Sequence, residues 1–393
     1  TSYSSALAFA NQVGYPVLVR PSYVLSGAAM RVAQTPDQLS DFLQLATKVS
    51  QDNPVVITKF LTEAREVECD GISDGNYVLI GGIIEHVENA GIHSGDATMV
   101  IPPQTLPPAT IEKMTDYSRQ IALALNIRGP FNIQYLVKDG TVSVIECNLR
   151  SSRSMPYVSK TRGINLMTIA SEVILGRQIK DIVKDLPPGN FVCVKSPMFS
   201  FMRLSGADPI LGVEMVSTGE VACIGEDFYD ALLKAMIAAE IRIPLKGNVL
   251  ITVGGEDLKE QVIPVARELV ELGFRIFATS HTADHMEVAG IKVIRLHKVS
   301  ETKLEPNLLN CILKGAIQMV INLPLPSVVV EEFDNIMQDE YIIRRKAVEF
   351  NIPCITNIQL ARAVVEAIKR QRDAKIKVKS LNEYHKQLKM TYW

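Results

Sequence analysis

Residues 131–150 read FNIQYLVKDGTVSVIECNLR: an apolar strand, a turn at Asp139-Gly140, and a second strand from Val142 to Arg150. Strand alternation places Val142, Val144, Glu146, Asn148 and Arg150 on one face and Ser143, Ile145, Cys147 and Leu149 on the other. A strand that closes on a carboxylate, an amide and a guanidinium is a poor core strand and a good floor for a site holding Mg²⁺ and phosphate. Glu146 and Asn148 offer hard oxygen ligands, and Arg150 and Arg153 offer donors suited to phosphate or carboxylate. A solvated strand end is the competing reading; Gln134, polar within the apolar partner strand, weighs against it. In a strict two-residue hairpin, position 134 would pair with 145, and Gln134 and Glu146 would face opposite ways. For both to reach one metal, the connection must hold an odd number of residues or carry a bulge, and the sequence predicts that it does.

The chain has 393 residues, which suggests two or three domains. At 47% hydrophobic and 21% charged it can build sizeable cores, and a net charge of −2 without a long basic run argues against nucleic acid as a partner. The six cysteines form no CxxC pair, which points away from a zinc site or disulfide framework and toward a reducing compartment. No apolar run approaches the ~20 residues that span a bilayer, so no membrane association is expected. The first residues lack a basic, apolar leader and open into a helical pattern, as expected of a piece of a longer protein.

Taken in order, residues 4–13 predict a helix, 16–21 a strand carrying Arg20, and 22–29 a small-residue loop able to present N–H groups to phosphate or simply to connect two elements. A helix over 35–50 and a strand over 55–60 follow. Glu66, Glu68 and Asp70 alternate with small apolar residues, as an exposed or site-lining strand would. Glu85, His86, Glu88, His93, Ser94 and Asp96 crowd twelve positions; the histidine spacing fits no common zinc pattern, and Gly91–Gly95 reads as a ligand-contacting turn. From 246 strand and helix alternate five times, the pattern of a helix-covered parallel sheet and a separate α/β domain. Ligands bind such sheets at the carboxyl ends of strands. The candidate there is Thr279-Ser280-His281-Thr282, which suits an anion, or in which Thr282 merely caps a helix.

RPSYVLSGAAM (20–30), EHVENAGIHSGDAT (85–98), VIECNLRSSRSMPYVSKTRG (144–163), ADPILGVEMVSTGEVACIGE (207–226) and YIIRRKAVEF (341–350) together resemble the C-terminal part of the carbamoyl phosphate synthetase large chain. The resemblance covers nearly the whole chain. Leu149 and the Ser of VLSG stand where bacterial members carry Pro and Gly, as in eukaryotic members. It implies an α/β and α+β multidomain fold: an ATP-grasp unit, truncated at its N-terminus, over 1–190, its C-terminal extension or linker over 191–245, and a doubly wound, methylglyoxal-synthase-like allosteric domain over 246–393. The implied activity is phosphorylation of carbamate by ATP with two Mg²⁺ or Mn²⁺ ions, in pyrimidine or arginine biosynthesis. The implied partners are the remainder of the synthetase chain, a glutaminase subunit or domain and a nucleotide-type effector, within an oligomer. The implied compartment is the cytoplasm, with the mitochondrion as the alternative.

The resemblance also implies residue roles. Arg20 holds ATP phosphates, with Lys59 nearby; Leu61 lies beside adenine; Glu66 accepts from the ribose hydroxyls; Gly91, Ile92, His93 and Ser94 line the nucleotide pocket. Gln134, Glu146 and Asn148 bind the metal ions, and Arg150 and Arg153 neutralise the phosphoryl group and carbamate. In the allosteric domain Thr279, Thr282, Lys298 and Asn322 match positions for a phosphate-bearing effector, with Lys259 a further candidate. Lys298 and Leu325 differ from the residues of acetylglutamate-activated members. Glu88, Asp96, Glu214 and Thr356 match a second effector site near the domain junction.

Overall fold

The computed structural model describes residues 3–22, 27–49, 54–183, 191–204, 206–301, 303–324, 333–372 and 376–387. Residues 23–26 of the 22–29 loop, the 185–189 loop and Leu325 lie outside them.

The chain opens with α1 (Tyr3–Val13), β1 (Val17–Pro21), β2 (Arg31–Ala33), α2 (Pro36–Val49) and β3 (Val55–Lys59). The strands form a three-stranded antiparallel sheet in the order β2-β1-β3, with the apolar faces of α1 and α2 packed on it through Ala6, Ala10, Leu39, Leu43 and Ala46. Next come β4 (Arg65–Asp74), β5 (Val78–Asn89), β6 (Met99–Ile101), α3 (Pro108–Ala124), β7 (Arg128–Lys138), β8 (Thr141–Asn148), α4 (Met155–Arg162), α5 (Leu166–Ile174), α6 (Ile179–Ile182), β9 (Val192–Met198), β10 (Gly219–Gly225) and α7 (Phe228–Ala238). Their seven strands form an antiparallel sheet in the order β10-β9-β6-β5-β4-β7-β8. One face is covered by α3, through Met114 and Ala122 against Phe131, Ile133 and Tyr135. The other is covered by α4 and α5, through Met155, Val158 and Leu166 against Ile72 and Ile84. Helix α4 starts just after Ser152 and Ser154, and Ser152 Oγ accepts from the Met155 N–H at 3.0 Å.

The alternating tail folds as β11 (Asn248–Val253), α8 (Glu256–Glu271), β12 (Arg275–Thr279), α9 (Ser280–Val288), β13 (Val293–Leu296), α10 (Leu308–Leu313), β14 (Met319–Leu323), α11 (Phe333–Glu349), β15 (Cys354–Ile355) and α12 (Ile358–Gln371). Its five strands are all parallel, in the order β13-β12-β11-β14-β15. The order reverses between β11 and β14, which puts the ligand crevice of such a sheet beyond their carboxyl ends. The units share one core, in which Val100 and Val194 of the large sheet meet α7, α8 and α12. A last helix, α13 (Leu381–Gln387), returns to the first unit: Tyr384 is buried against Phe191 and donates to the Ile224 carbonyl at 3.1 Å.

The hairpin of β7 and β8 meets its geometric requirement away from the turn. Asp139 and Gly140 both have positive φ, 49° and 74°, and Lys138 pairs with Thr141, so the connection keeps two residues. The register shifts between Gln134 and Tyr135: Tyr135 pairs with Val144, but Gln134 pairs with Glu146, leaving Ile145 as a bulge. This corrects the face assignment. Val142 and Cys147 pack on the α3 side, and Glu146 and Asn148 turn to the other face; the strand ends at Asn148, so Arg150 is not part of it.

The sheet is tight enough that one added carbon is felt. A Cβ on Gly71 would lie 2.4 Å from the tip of the Phe131 ring. We predict that Gly71→Ala costs about 1–3 kcal/mol and that Phe131→Leu partly relieves it. The double variant should then lose about 1 kcal/mol less than the sum of the single losses in denaturant unfolding. Strictly additive losses would contradict this packing.

Candidate functional site

The site is built on a run of acids that the sheet buries. Glu66, Glu68 and Asp70 share one face of β4, and the antiparallel register sets Glu68 opposite Gln134 and Asp70 opposite Asn132. All three are less than 9% exposed, so each requires partners. Asn132 Nδ2 donates to Glu68 Oε2 at 3.0 Å and to Asp70 Oδ1 at 2.9 Å. Ser152 and Ser154 donate to the two oxygens of Asp70 at 2.6 and 2.7 Å. His86 Nε2 lies 3.5 Å from Glu68 Oε1, at ion-pair distance without hydrogen-bond alignment. Burial works against the charge of Glu68 but is outweighed by His86, Asn132 and Lys195, which hold its carboxyl at about 2. Asp70 is pushed up to about 6 by burial and by Glu68. Glu66 is pushed up to about 7, first by burial and then by Glu68 and Glu146.

Above this floor the bulge brings Gln134, Glu146 and Asn148 together. Gln134 Nε2 is directed at Glu68 Oε1 at 3.3 Å and Ser94 Oγ at 3.4 Å; Asn148 Nδ2 donates to Glu146 Oε1 at 2.9 Å. Both amides thus spend their nitrogens on neighbours, leaving carbonyl oxygens and a carboxylate as the donor set, the hard oxygens that Mg²⁺ takes. Arg20 Nη2 reaches Glu146 Oε2 at 3.4 Å, a positive charge beside the carboxylate.

The 91–96 loop closes one side. Gly91 lies under the Phe60 ring, where a Cβ would come within 2.9 Å. Gly91, Ile92, His93 and Ser94 are half-buried, as is Leu61. His93 Nδ1 accepts from the Gly95 N–H at 3.0 Å, and burial lowers its pKa, so the ring is neutral with its proton on Nε2. Lys195, buried in β9, donates to the Ser94 and Gly95 carbonyls at 3.0 and 3.2 Å, and burial depresses its pKa.

Some expected residues stand apart. Lys59 is exposed and donates to the carbonyls of Gly14 and Tyr15, both at 3.0 Å. Arg150 is exposed and donates to the adjacent Ser151 carbonyl at 3.1 Å. Arg153 lies nearer, with Nη1 2.9 Å from Met215 Sδ and Nε 3.9 Å from Glu220. Sequence reasoning missed Asn132, Ser152, Ser154 and Lys195 and, apart from the ribose role that the resemblance implies for Glu66, left the acids open between exposed and site-lining. The signal was there: three acids at period two face two amides at period two on the next strand.

At the carboxyl edge of the parallel sheet, Thr279 ends β12 and Lys298 follows β13. Thr282 does not cap α9; it is buried, and its Oγ1 accepts from the Val253 N–H at 3.3 Å. Asn322 is fully buried, donating to Thr252 Oγ1 at 2.7 Å and accepting from Arg344 Nη1 at 2.9 Å. Lys259 pairs with Glu256 at 2.6 Å. Glu88, Asp96 and Thr356 line one cavity of about 220 Å³ between the units. Glu214 does not join them: it pairs with Arg31 at 2.8 Å, and Ser196 lines the cavity with the others.

Three comparisons bear on this arrangement. Residues 1–182 match the family model described as "Carbamoyl-phosphate synthase L chain, ATP binding domain", and residues 261–356 match the "MGS-like domain". The C-terminal section of the carbamoyl phosphate synthase large chain of Methanocaldococcus jannaschii is 42% identical over 402 residues, covering 99% of this chain and 64% of that protein. The mitochondrial carbamoyl-phosphate synthase [ammonia] of Homo sapiens is 44% identical over 391 residues, covering 97% of this chain and 25% of that protein. The chain therefore spans less than two thirds of these relatives' length. Among solved structures, the biotin carboxylase domain of Hydrogenobacter thermophilus 2-oxoglutarate carboxylase, in complex with MgADP, ADP and bicarbonate, aligns with a TM-score of 0.50 at 14% identity, over 61% of this chain and 59% of that one, a likeness of fold.

The electrostatics yield a pH test. The Glu66 carboxyl titrates near 7 in the fold against about 4.5 free, so between those values the folded state holds the extra proton and stability falls as pH rises. Glu66→Gln removes the titration. The variant should gain in melting temperature over the parent from pH 5 to pH 8, by the equivalent of a few kcal/mol. An offset that does not change with pH would contradict the burial assigned to Glu66.

Proposed function

We propose, for a chain that belongs to the carbamoyl phosphate synthetase large-chain family and joins its ATP-binding domain to an MGS-like domain, that the first unit binds ATP and transfers its terminal phosphoryl group to carbamate, giving carbamoyl phosphate. The observation that carries this reading is the bulge at Ile145, which sets Glu146 opposite Gln134 and turns two amide oxygens and a carboxylate to one face. That donor set fits Mg²⁺, with Mn²⁺ as a substitute. In this reading Gln134, Glu146 and Asn148 hold two ions, whose chemistry is to neutralise the phosphate charge.

Phosphoryl transfer asks the protein for positioning and charge neutralisation rather than a covalent nucleophile. Arg20 is placed to release Glu146 and take phosphate oxygens. The Gly91–Ser94 loop presents backbone and the His93 Nε2–H to the nucleotide, with Leu61 and Glu66 beside base and ribose. Arg153, and Arg150 once turned inward, complete the charge around the transferred group and carbamate. The parallel-sheet domain serves as regulator, with a nucleotide-type effector at its carboxyl edge near Thr279 and Lys298. The remainder of a synthetase chain and a glutaminase supply the carbamate, in the cytoplasm.

Two measurements test this. In the full-length parent, Glu146→Gln should lower ATP formation from ADP and carbamoyl phosphate by about 10²–10³-fold; undiminished synthesis would remove the metal-site assignment. Calorimetry with UMP on this chain should show binding that Lys298→Ala weakens about tenfold, as loss of a charge-assisted phosphate contact would. Absent binding, or binding indifferent to Lys298, would remove the nucleotide effector.

A further inference from the structure

Two stretches quoted for the family resemblance, 207–226 and 341–350, are joined to each other by the structure. Arg344 is one of the largest fully buried side chains. Its Nε and Nη2 donate to the two oxygens of Asp208 at 2.7 and 2.5 Å, a bidentate pair, while Nη1 donates to Asn322 Oδ1 at 2.9 Å. Asn322 lies near the end of β14 and donates to Thr252 near the end of β11, at the point where the parallel sheet reverses order. The neighbouring Arg345 Nη1 donates to the carbonyls of Phe201, Leu204 and Ala207 at 2.8, 3.1 and 3.3 Å, and Tyr341 donates to the Gly206 carbonyl at 3.0 Å. One face of α11 therefore holds Phe201, Leu204, Gly206 and Ala207 by their backbone carbonyls.

The chain then runs without helix or strand from Asp208 to Thr218, and residues 212–217 of this run contact the nucleotide side. Gly212 accepts from the His93 N–H at 2.7 Å. The Val213 carbonyl packs so closely on Gly27, whose φ is +71°, that a Cβ there would sit 2.4 Å away. Glu214 pairs with Arg31 at 2.8 Å. Met215 Sδ meets Arg153 Nη1 at 2.9 Å, and the Val216 and Ser217 N–H groups donate to Asp96, both at 2.9 Å.

We propose that Arg344 is a positioning residue for the phosphoryl-transfer site. By fixing Asp208 it sets the course of residues 208–217, and that segment holds the 91–96 loop, the 27–31 turn and Arg153 in place. A segment without its own ladder keeps its course only through such end anchors. The pair also gives the carboxyl edge of the parallel sheet a ten-residue covalent route to the nucleotide loop. The consequence for catalysis rests on reading 91–94 as that loop; the mechanical link does not.

Hydrogen exchange on the whole chain reads the link without nucleotide. Asp208→Asn leaves a buried guanidinium underpaired, so the double variant Asp208→Asn/Arg344→Met, which removes both partners, is measured beside it. The expected result in both is exchange at least tenfold faster at the amides of His93, Val216 and Ser217, with the β4–β7 amides unchanged. Asp208→Glu, which keeps the pair, should restore protection. Unchanged protection at the three amides would overturn the proposal, and so would equal acceleration in the β4–β7 ladder, which would mark a merely structural role. Failure of the chain to bind MgADP would sink the nucleotide reading and leave this outcome standing.

Discussion

A carboxylate taken out of water must be given partners or a proton, and β4 takes three of them into the sheet. Each lone buried charge would cost several kcal/mol. The neighbouring strands and the 151–154 loop are arranged to prevent that. Asn132 bridges Glu68 and Asp70, His86 stands beside Glu68, and the hydroxyls of Ser152 and Ser154 close on Asp70. The same bonds fix the loop that carries Arg150 and Arg153 and start α4 beyond it. Stability and site geometry thus share one set of contacts. Gln134 orients its amide through Glu68, and Glu68 keeps its charge through His86.

The two units behave as one packed body in this structure. Their cores are continuous through Val100, Val194, α7 and α12. Helix α13 returns across the junction to Tyr384's pocket, where His385 Nε2 also meets the Lys160 carbonyl at 2.8 Å, at the end of α4. Arg344 and Arg345 add polar anchors on the other side. A displacement in the parallel-sheet domain therefore meets several rigid contacts to the unit that carries Gln134, Glu146 and Asn148, which is what transmission between sites requires in physical terms.

Much of this was legible in the chain. The period-two pattern of 131–148 identified the hairpin, and the face conflict between Gln134 and Glu146 required a register break. The five strand–helix alternations after 246 announced a parallel sheet. Less legible was anything set by a partner distant in sequence. Ile145 carries no mark of a bulge; it bulges because Val142 and Glu146, of the same parity, take opposite faces, Val142 toward α3 and Glu146 beside Gln134. Glu214 looked like a member of the junction cluster, but Arg31, 183 positions away, claims it. Arg344 stands in a run of three basic residues, Arg344-Arg345-Lys346, and only the fold shows it buried between Asp208 and Asn322.

The central claim is that Gln134, Glu146 and Asn148 form one oxygen platform for a divalent cation carrying nucleotide. Paramagnetic relaxation by Mn²⁺ with ADP tests it directly on this chain. Substoichiometric Mn²⁺ should broaden the side-chain amide resonances of Gln134 and Asn148 and the backbone amide of Glu146 before any others. Broadening confined to other carboxylates, with these three resonances sharp, would contradict it.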